Sequence, residues 1–359
     1  MLRKRIVLFG FMPIFIFSGL FFYLSFPENK QYIKNEESFK DNINISSIII
    51  KNKEEINSNK DIRILFLGDL MLDRDVREKI NKNSLEYILG SLFKKHFFDD
   101  YDIISANLEG SVTNGGEHYA PEKKFDFAFL PETVSELKKY NFSFFNLANN
   151  HFFDQGSRGE IETRKNLEKA GFSFSGCRDG VIGECSSKIF NLDGKIIGMV
   201  GFSVFGSFNI ENAKDIITTL KKETDIIIVN VHWGEEYNIN QNEKQKDLAY
   251  KFIDAGADII IGHHPHVVQG IEIYKGKVIF FSLGNFIFDQ YFSDETQTGL
   301  AVEVIFKKEK PIFKLHPLNL KFIRADLMEG DERIAFLKEI ANRSFGSDAL
   351  KIKISFGEL

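Results

Sequence analysis

Cysteine is nearly absent from this chain, with two in 359 residues. That excludes a disulfide-dense scaffold and a zinc site built of thiolates. The two, Cys177 and Cys185, have a spacing that suits no zinc motif. Outside the cytoplasm they could close one small loop; unpaired, they carry no chemistry. A positive excess is also lacking. Lys and Arg number 46 against 51 Asp and Glu, for a net charge of −5. No general polyanion-binding surface is indicated, and nucleic acid is not an expected partner. Internal repeats are missing too.

Long hydrophobic runs are scarce, with one exception. Ile6 to Phe26 is uncharged and mostly apolar. At about 1.5 Å per helical residue it would span the roughly 30 Å of a bilayer core. Arg3, Lys4 and Arg5 precede it, which keeps the N-terminus cytoplasmic and sends the rest across. The run is longer than a signal-peptide core and lacks a small-x-small cleavage site. Residues 1–27 are therefore expected to be a retained single-pass anchor in the cell membrane. Residues 28–60, rich in Lys, Asn, Glu and Ser, read as a polar extracytoplasmic tether. A folded domain is expected over 61–325, with a C-terminal helix and strand over 326–359 packing on it. Hydrophobic residues make up 43% of the chain, ample for its core. Phe is frequent at 38, a bias it shares with Lys, Ile and Asn, and is read as codon usage rather than an aromatic platform.

Within that domain, short apolar runs keep ending in polar clusters. Ile62–Leu67 leads to Gly68-Asp69, and Asp102–Ala106 leads to Asn107-Leu-Glu109. Ser143–Leu147 leads to Asn149-Asn150-His151, and Asp225–Val231 to His232-Trp-Gly-Glu235. Asp258–Ile261 leads to Gly262-His263-His264-Pro265-His266. Helical periods fall between them, at Arg74–His96, Pro131–Tyr140, from His151 to Ala170, Ala213–Lys222 and Asn242–Ala255, with a last helix at Glu332–Asn342. Strands alternating with helices give α/β layers, and the hairpin of Val267–Tyr274 with Lys277–Ser282 makes the sheets mixed. Functional groups of such sheets gather at the carboxyl ends of the strands. All five clusters sit there, so a single site is expected.

Asp69, Glu109, Asn150, His232, His264 and His266 offer hard oxygens and borderline nitrogens. That set suits a divalent ion, Mn, Fe or Zn. A carboxylate among them can bridge two ions. His151 has the imidazole to protonate a leaving group.

The ordered motifs Gly68-Asp-Leu-Met-Leu72, Asn107-Leu-Glu-Gly110, Leu147-Ala-Asn-Asn-His151, His232-Trp-Gly-Glu-Glu-Tyr237, His264-Pro-His-Val267 and Ser282-Leu-Gly-Asn-Phe286 resemble those of the CapA family. That family is linked to poly-γ-glutamate capsule synthesis and lies within the calcineurin-like metallophosphoesterase superfamily. The resemblance implies a layered α-β-β-α sandwich with mixed sheets. It implies Asp69 on one metal, Glu109 as the bridge, Asn150 on the second metal and His151 facing the leaving group. It also implies His232 as a lone ligand and His264 and His266 as the closing pair, with His263 outside the pattern. Two positions depart: the superfamily's first motif reads Asp-x-His, and here the third residue is Met71; the bridging residue is Glu109 rather than Asp. An extended backbone would put Met71 and Asp69 on one face. Asn107, Asn149 and Arg74 are expected to bind substrate, with Lys123, Lys124 and Arg158 as further bases for an anionic polymer. The implied role is in synthesis, export or processing of poly-γ-glutamate or a related surface polymer, beside the membrane subunits of a synthase. Hydrolysis of a phosphoester or γ-amide bond, a non-catalytic polymer-binding subunit, and a secreted phosphoesterase are the alternatives.

Overall fold

The computed structural model describes residues 60–120, 123–307 and 310–359. The expected anchor and all of the tether except Lys60 lie outside the described residues. No helix among the described residues is long and apolar enough to cross a membrane.

The first half of the domain runs β1 (Ile62–Leu70), α1 (Arg74–Lys82), α2 (Leu85–Ile88), α3 (Gly90–Lys94), β2 (Ile103–Leu108), β3 (Ser111–Val112), β4 (Ala128–Phe129), α4 (Pro131–Glu136), β5 (Phe142–Asn146), α5 (Gly156–Lys169) and β6 (Ser173–Ser175). The second half runs β7 (Ser187–Leu192), β8 (Lys195–Ser203), α6 (Ile210–Leu220), β9 (Ile226–His232), α7 (Glu243–Ala255), β10 (Ile259–His263), β11 (Ile271–Tyr274), β12 (Lys277–Phe280), β13 (Asn285–Ile287), β14 (Thr298–Phe306), β15 (Pro311–Asn319), β16 (Asp326–Leu327), α8 (Gly330–Arg343) and α9 (Asp348–Phe356).

The strands form two mixed sheets and one small pair. The larger has the order β16-β15-β14-β1-β2-β5-β6, with β13 also pairing β1. The second has the order β11-β12-β10-β9-β8-β7. Strand periodicity of two explains how they stack. Ile62, Ile64 and Phe66 of β1 share a core with Ile228 of β9 and Ile259 and Ile261 of β10, between the sheets. Leu65 and Leu67, on the opposite face of β1, pack with Val76, Leu85 and Leu92 of the first helices. Ile227, Val229 and Ile260 pack outward against Ala213 and Ile217 of α6 and Leu248 and Phe252 of α7. Three cores therefore separate four layers, and the chain is an α-β-β-α sandwich.

Local chemistry sets the element ends. The helix expected over 74–96 is broken because Asn83 ends α1 and the Ser84 hydroxyl caps α2 by accepting from the Tyr87 amide at 3.0 Å. α7 begins at a capping box of Asn242 and Gln245. The helix expected from His151 starts only at Gly156, because residues 151–155 form turns. The C-terminal stretch contains the short β16 and then two helices. Leu350, Ile352, Ile354 and Phe356 alternate like a strand, yet only Leu350 and Ile354, four apart on one helical face, are buried in the inter-sheet core. Cys177 and Cys185 are joined in a disulfide.

Ile64 is fully buried between the sheets. Ile64→Ala should lower unfolding stability by about 2–5 kcal/mol through loss of contacts and a cavity. Ile161→Ala, on the solvent face of α5, should stay within about 0.5 kcal/mol of wild type. Chemical denaturation of the two variants checks the contrast.

Candidate metal centre

Close backbone approach brings the strand ends together. A Cβ on Gly68 would lie 2.1 Å from the Gly284 carbonyl oxygen, so only glycine lets β1 run this near the loop before β13. The Asp69 amide then donates to that oxygen at 3.0 Å. Likewise a Cβ on Gly262 would lie 2.0 Å from the Phe281 carbonyl oxygen, which also accepts from the Trp233 indole at 2.8 Å. These contacts set β10 beside the loop after β12.

Asp69, Glu109 and His232 offer ligand atoms all within 4.8 Å of one another, and all three side chains are buried. His264 Nδ1 lies 3.1 Å from His232 Nε2, and Asn150 Oδ1 lies 2.8 Å from that same nitrogen. His266 Nδ1 is 3.2 Å from Asp69 Oδ2 and its Nε2 is 3.5 Å from Glu109 Oε1. All six residues expected to hold metal thus converge.

The electrostatics follow from burial. Burial opposes the charged form of Asp69, but the imidazoles of His263 and His266 outweigh it and hold the carboxyl well below its usual range. Burial, reinforced by Asp69, pushes Glu109 well above its range against the pull of His266. Burial and the neighbouring His264 keep His232 well below the usual histidine range. Burial, then the charge of His266, lowers His264 to about 3. Burial also disfavours a charged His266, yet Glu109 and Asp69 raise it to about 9. The two acids thus favour the charged form of His266, while burial favours the neutral form of His232 and His264. Glu109 Oε1 and both ring nitrogens of His263 have no hydrogen-bond partner. A divalent cation would give Glu109 Oε1 a partner and take the lone pairs of the neutral imidazoles, so the residues fit a metal.

Other expected positions take different places. The Asn107 carbonyl oxygen accepts from Asn146 at 2.9 Å and Asn149 at 3.2 Å, which turns its amide NH2 toward Asp69 Oδ1 at 2.8 Å and Glu109 Oε2 at 3.2 Å. Asn149 also donates to the Leu108 carbonyl at 2.9 Å. Both residues are fully buried with their groups spent inside the protein. Asn107 orients the carboxylates, Asn149 braces Asn107, and neither faces substrate, a correction to the expectation. Met71 does not stand beside Asp69 as a vacated ligand. It packs in the core between the larger sheet and its helices, and its sulfur accepts the Asp73 amide at 3.1 Å.

His151 lies at the edge of the cluster. Its Nδ1 meets Asp154 Oδ2 at 2.7 Å, which aims Nε2 toward Glu109 Oε1, 3.9 Å away. Asp154, His263, Asn146 and Asn285, whose Oδ1 is 3.0 Å from His266 Nδ1, have no role in the site expected from the sequence. The signals were a carboxylate three residues after His151, the extra histidine of the loop, and the asparagine of Leu283-Gly-Asn285. Asn150, His151 and His266 open into a cleft of about 850 Å³ that Arg74 and Lys123 also line. Arg158 instead pairs with Glu162, and Lys124 is absent from the lining. Exposed Phe125, Tyr237, Tyr291 and Phe292 edge the cleft, so some aromatics do form a rim.

Two mixed sheets between helical layers, with acids, amides and imidazoles converging from the strand ends, define a layered α/β sandwich with a buried Asp/Glu/His group able to hold a divalent metal. The model of the bacterial capsule synthesis protein family PGA_cap matches residues 63–290, and the chain belongs to that family. It is 30% identical over 286 residues to the capsule biosynthesis protein CapA of Bacillus anthracis, covering 73% of this chain and 68% of that protein. It is 32% identical over 276 residues to the PGA biosynthesis protein CapA of Bacillus subtilis (strain 168), covering 71% and 70%. A solved structure of a hypothetical protein from Thermus thermophilus aligns with a TM-score of 0.48 at 16% identity, covering 72% of this chain and 99% of that one. Similarity at that level fixes no substrate.

A divalent ion at about a hundred times its dissociation constant should stabilise the full chain by about 2.7 kcal/mol. Asp69→Asn should remove most of that gain. Thermal unfolding with and without Mn or Zn measures it, and an undiminished gain in the variant would take Asp69 out of the ligand set.

Proposed function

We propose that this chain is a membrane-anchored, extracytoplasmic protein of the capsule pathway that processes or transfers poly-γ-glutamate, or a related acidic polymer, at a divalent-metal centre. The observation that carries the reading is the buried Asp69–Glu109–His232 group, opening past His151 and His266 into a cleft, in a member of the capsule synthesis family. The name of the Bacillus subtilis relative, a PGA biosynthesis protein, supports the polymer. The apolar run Ile6–Phe26 supplies the anchor, and the membrane subunits of a polymer synthase are the expected partners.

Asp69, Glu109, Asn150, His232, His264 and His266 would hold Mn, Fe or Zn. Such an ion, when bound, polarises a carbonyl or phosphoryl oxygen and activates water. His151, oriented by Asp154, carries the proton to the leaving group. Arg74 receives an anionic group of the substrate. The bond broken is a γ-amide or a phosphoester.

A second reading is a polymer-binding subunit without turnover. Met71 favours it, because the position that would supply a nitrogen ligand is spent on packing.

The full chain decides between them. His264→Ala/His266→Ala should lose bound metal, measured by elemental analysis, and unchanged metal content would overturn the centre. His151→Ala should keep the metal and lose turnover on γ-glutamyl or phosphoester substrates by roughly 10²–10⁴-fold. Wild type that binds polymer and metal but turns over neither substrate class establishes the subunit reading instead.

A further inference from the structure

The cleft is not built like a track for a polyanion. Two bases line it, Arg74 and Lys123, against four acids, Asp75, Asp154, Glu236 and Asp289. Both bases are already paired: Arg74 with Asp289, and Lys123 with Asp154 at 3.3 Å. A run of carboxylates threaded through would meet a surplus of negative charge.

Two features of opposite preference remain. The first is Arg74. Asp289 engages its Nε and one terminal nitrogen, and the guanidinium lies over the Phe127 ring at 4.8 Å and the Phe288 ring at 5.9 Å. The other terminal nitrogen has no hydrogen bond among the described residues, and the side chain keeps about a third of its surface. This is a fixed, partly exposed donor for one carboxylate. The second is an open corner of Tyr237 and Phe292, whose rings stand 4.7 Å apart at 87°. Glu236, the residue before Tyr237, lines the same cleft as Arg74, Tyr237 and Phe292. Two aromatic faces at right angles beside a carboxylate favour an ammonium.

In a γ-linked glutamate chain each interior residue shows only a free carboxylate, its nitrogen being an amide. The amino-terminal residue alone carries an ammonium and a carboxylate on the same carbon. We infer that the cleft is a receptor for that zwitterionic amino-terminal residue, with Arg74 taking the carboxylate and Glu236, Tyr237 and Phe292 taking the ammonium. The inference rests on the polymer reading above and adds that a chain end, not its interior, is what reaches His151 and His266.

The test is calorimetric titration of the full chain with γ-linked tetraglutamate and with its N-acetyl derivative. Wild type should bind the free amine at least tenfold more tightly. Glu236→Gln and Phe292→Ala, both at exposed positions, should lose that preference while still binding the acetylated chain. Arg74→Gln should weaken both ligands. Equal affinity of wild type for the two would overturn end recognition and leave the polymer reading standing. A preference that survives in Glu236→Gln and Phe292→Ala would overturn the ammonium assignment. Binding of neither oligomer would remove the polymer reading and this inference with it.

Discussion

Two carboxylates held out of water at one point are the constraint on which the site depends. Asp69 and Glu109 are fully buried, and nothing in the domain can make that arrangement inexpensive except positive charge and aimed donors. The fold supplies both from separate strands. β2 brings Asn107, whose amide bonds both acids. β10 and the loop after it bring His263, His264 and His266. Of these, His266 is the one whose charged form Glu109 and Asp69 favour. The two sheets meet at their carboxyl ends because these groups can be satisfied only together.

That demand reaches into the backbone. His264 and His266 hold φ of 98° and 58°, and Arg74 and Tyr237 at the cleft hold 50° and 64°. Non-glycine residues adopt this region at a cost, and such residues persist where surrounding contacts dictate them. Here the contacts are identifiable. The Tyr237 amide donates to the Pro265 carbonyl at 2.8 Å, which joins the His232 loop to the His-rich loop. The Asn146–Asn107–Asn149 amide chain then locks the opposite side. Imidazoles and carboxylates are thereby held from both sheets at once.

Much of this was legible in the sequence, for a physical reason. Strands buried on both faces read as continuous apolar runs, and the polar residues that interrupt them fall at the ends, where α/β sheets gather function. Asp69, Glu109, Asn150, His151, His232, His264 and His266 are singled out that way, and the fold brings them together. The signal fails where one residue type has two uses. Asn107 and Asn149 look like substrate contacts because they are polar at a strand end, yet their burial makes them scaffolding. Leu350 to Phe356 alternates with a period of two, but a helix buries only two of its four apolar residues. Asp154 belongs to no strand end and is defined only by its distance to His151. The anchor segment is legible in composition alone and lies outside the described residues.

The first motif shows how sequence spacing and geometry part. Reading Asp69-Leu-Met71 as an extended segment predicts that both end residues face the site. The backbone does not oblige, because β1 shifts register against β2 between Phe66 and Asp69 and against β13 at Asp69–Leu70. Met71 is then carried into the helix-side core, where a thioether costs nothing to bury and an imidazole would need a partner. The nitrogen absent at that position has a counterpart elsewhere. His263, which the family pattern leaves out, places Nδ1 3.3 Å from Asp69 Oδ1, and neither of its ring nitrogens is hydrogen-bonded. An imidazole is thus available to Asp69 from β10 instead of from its own strand. Asp69 therefore has an imidazole neighbour on the smaller sheet, while position 71 of the larger sheet is given to packing.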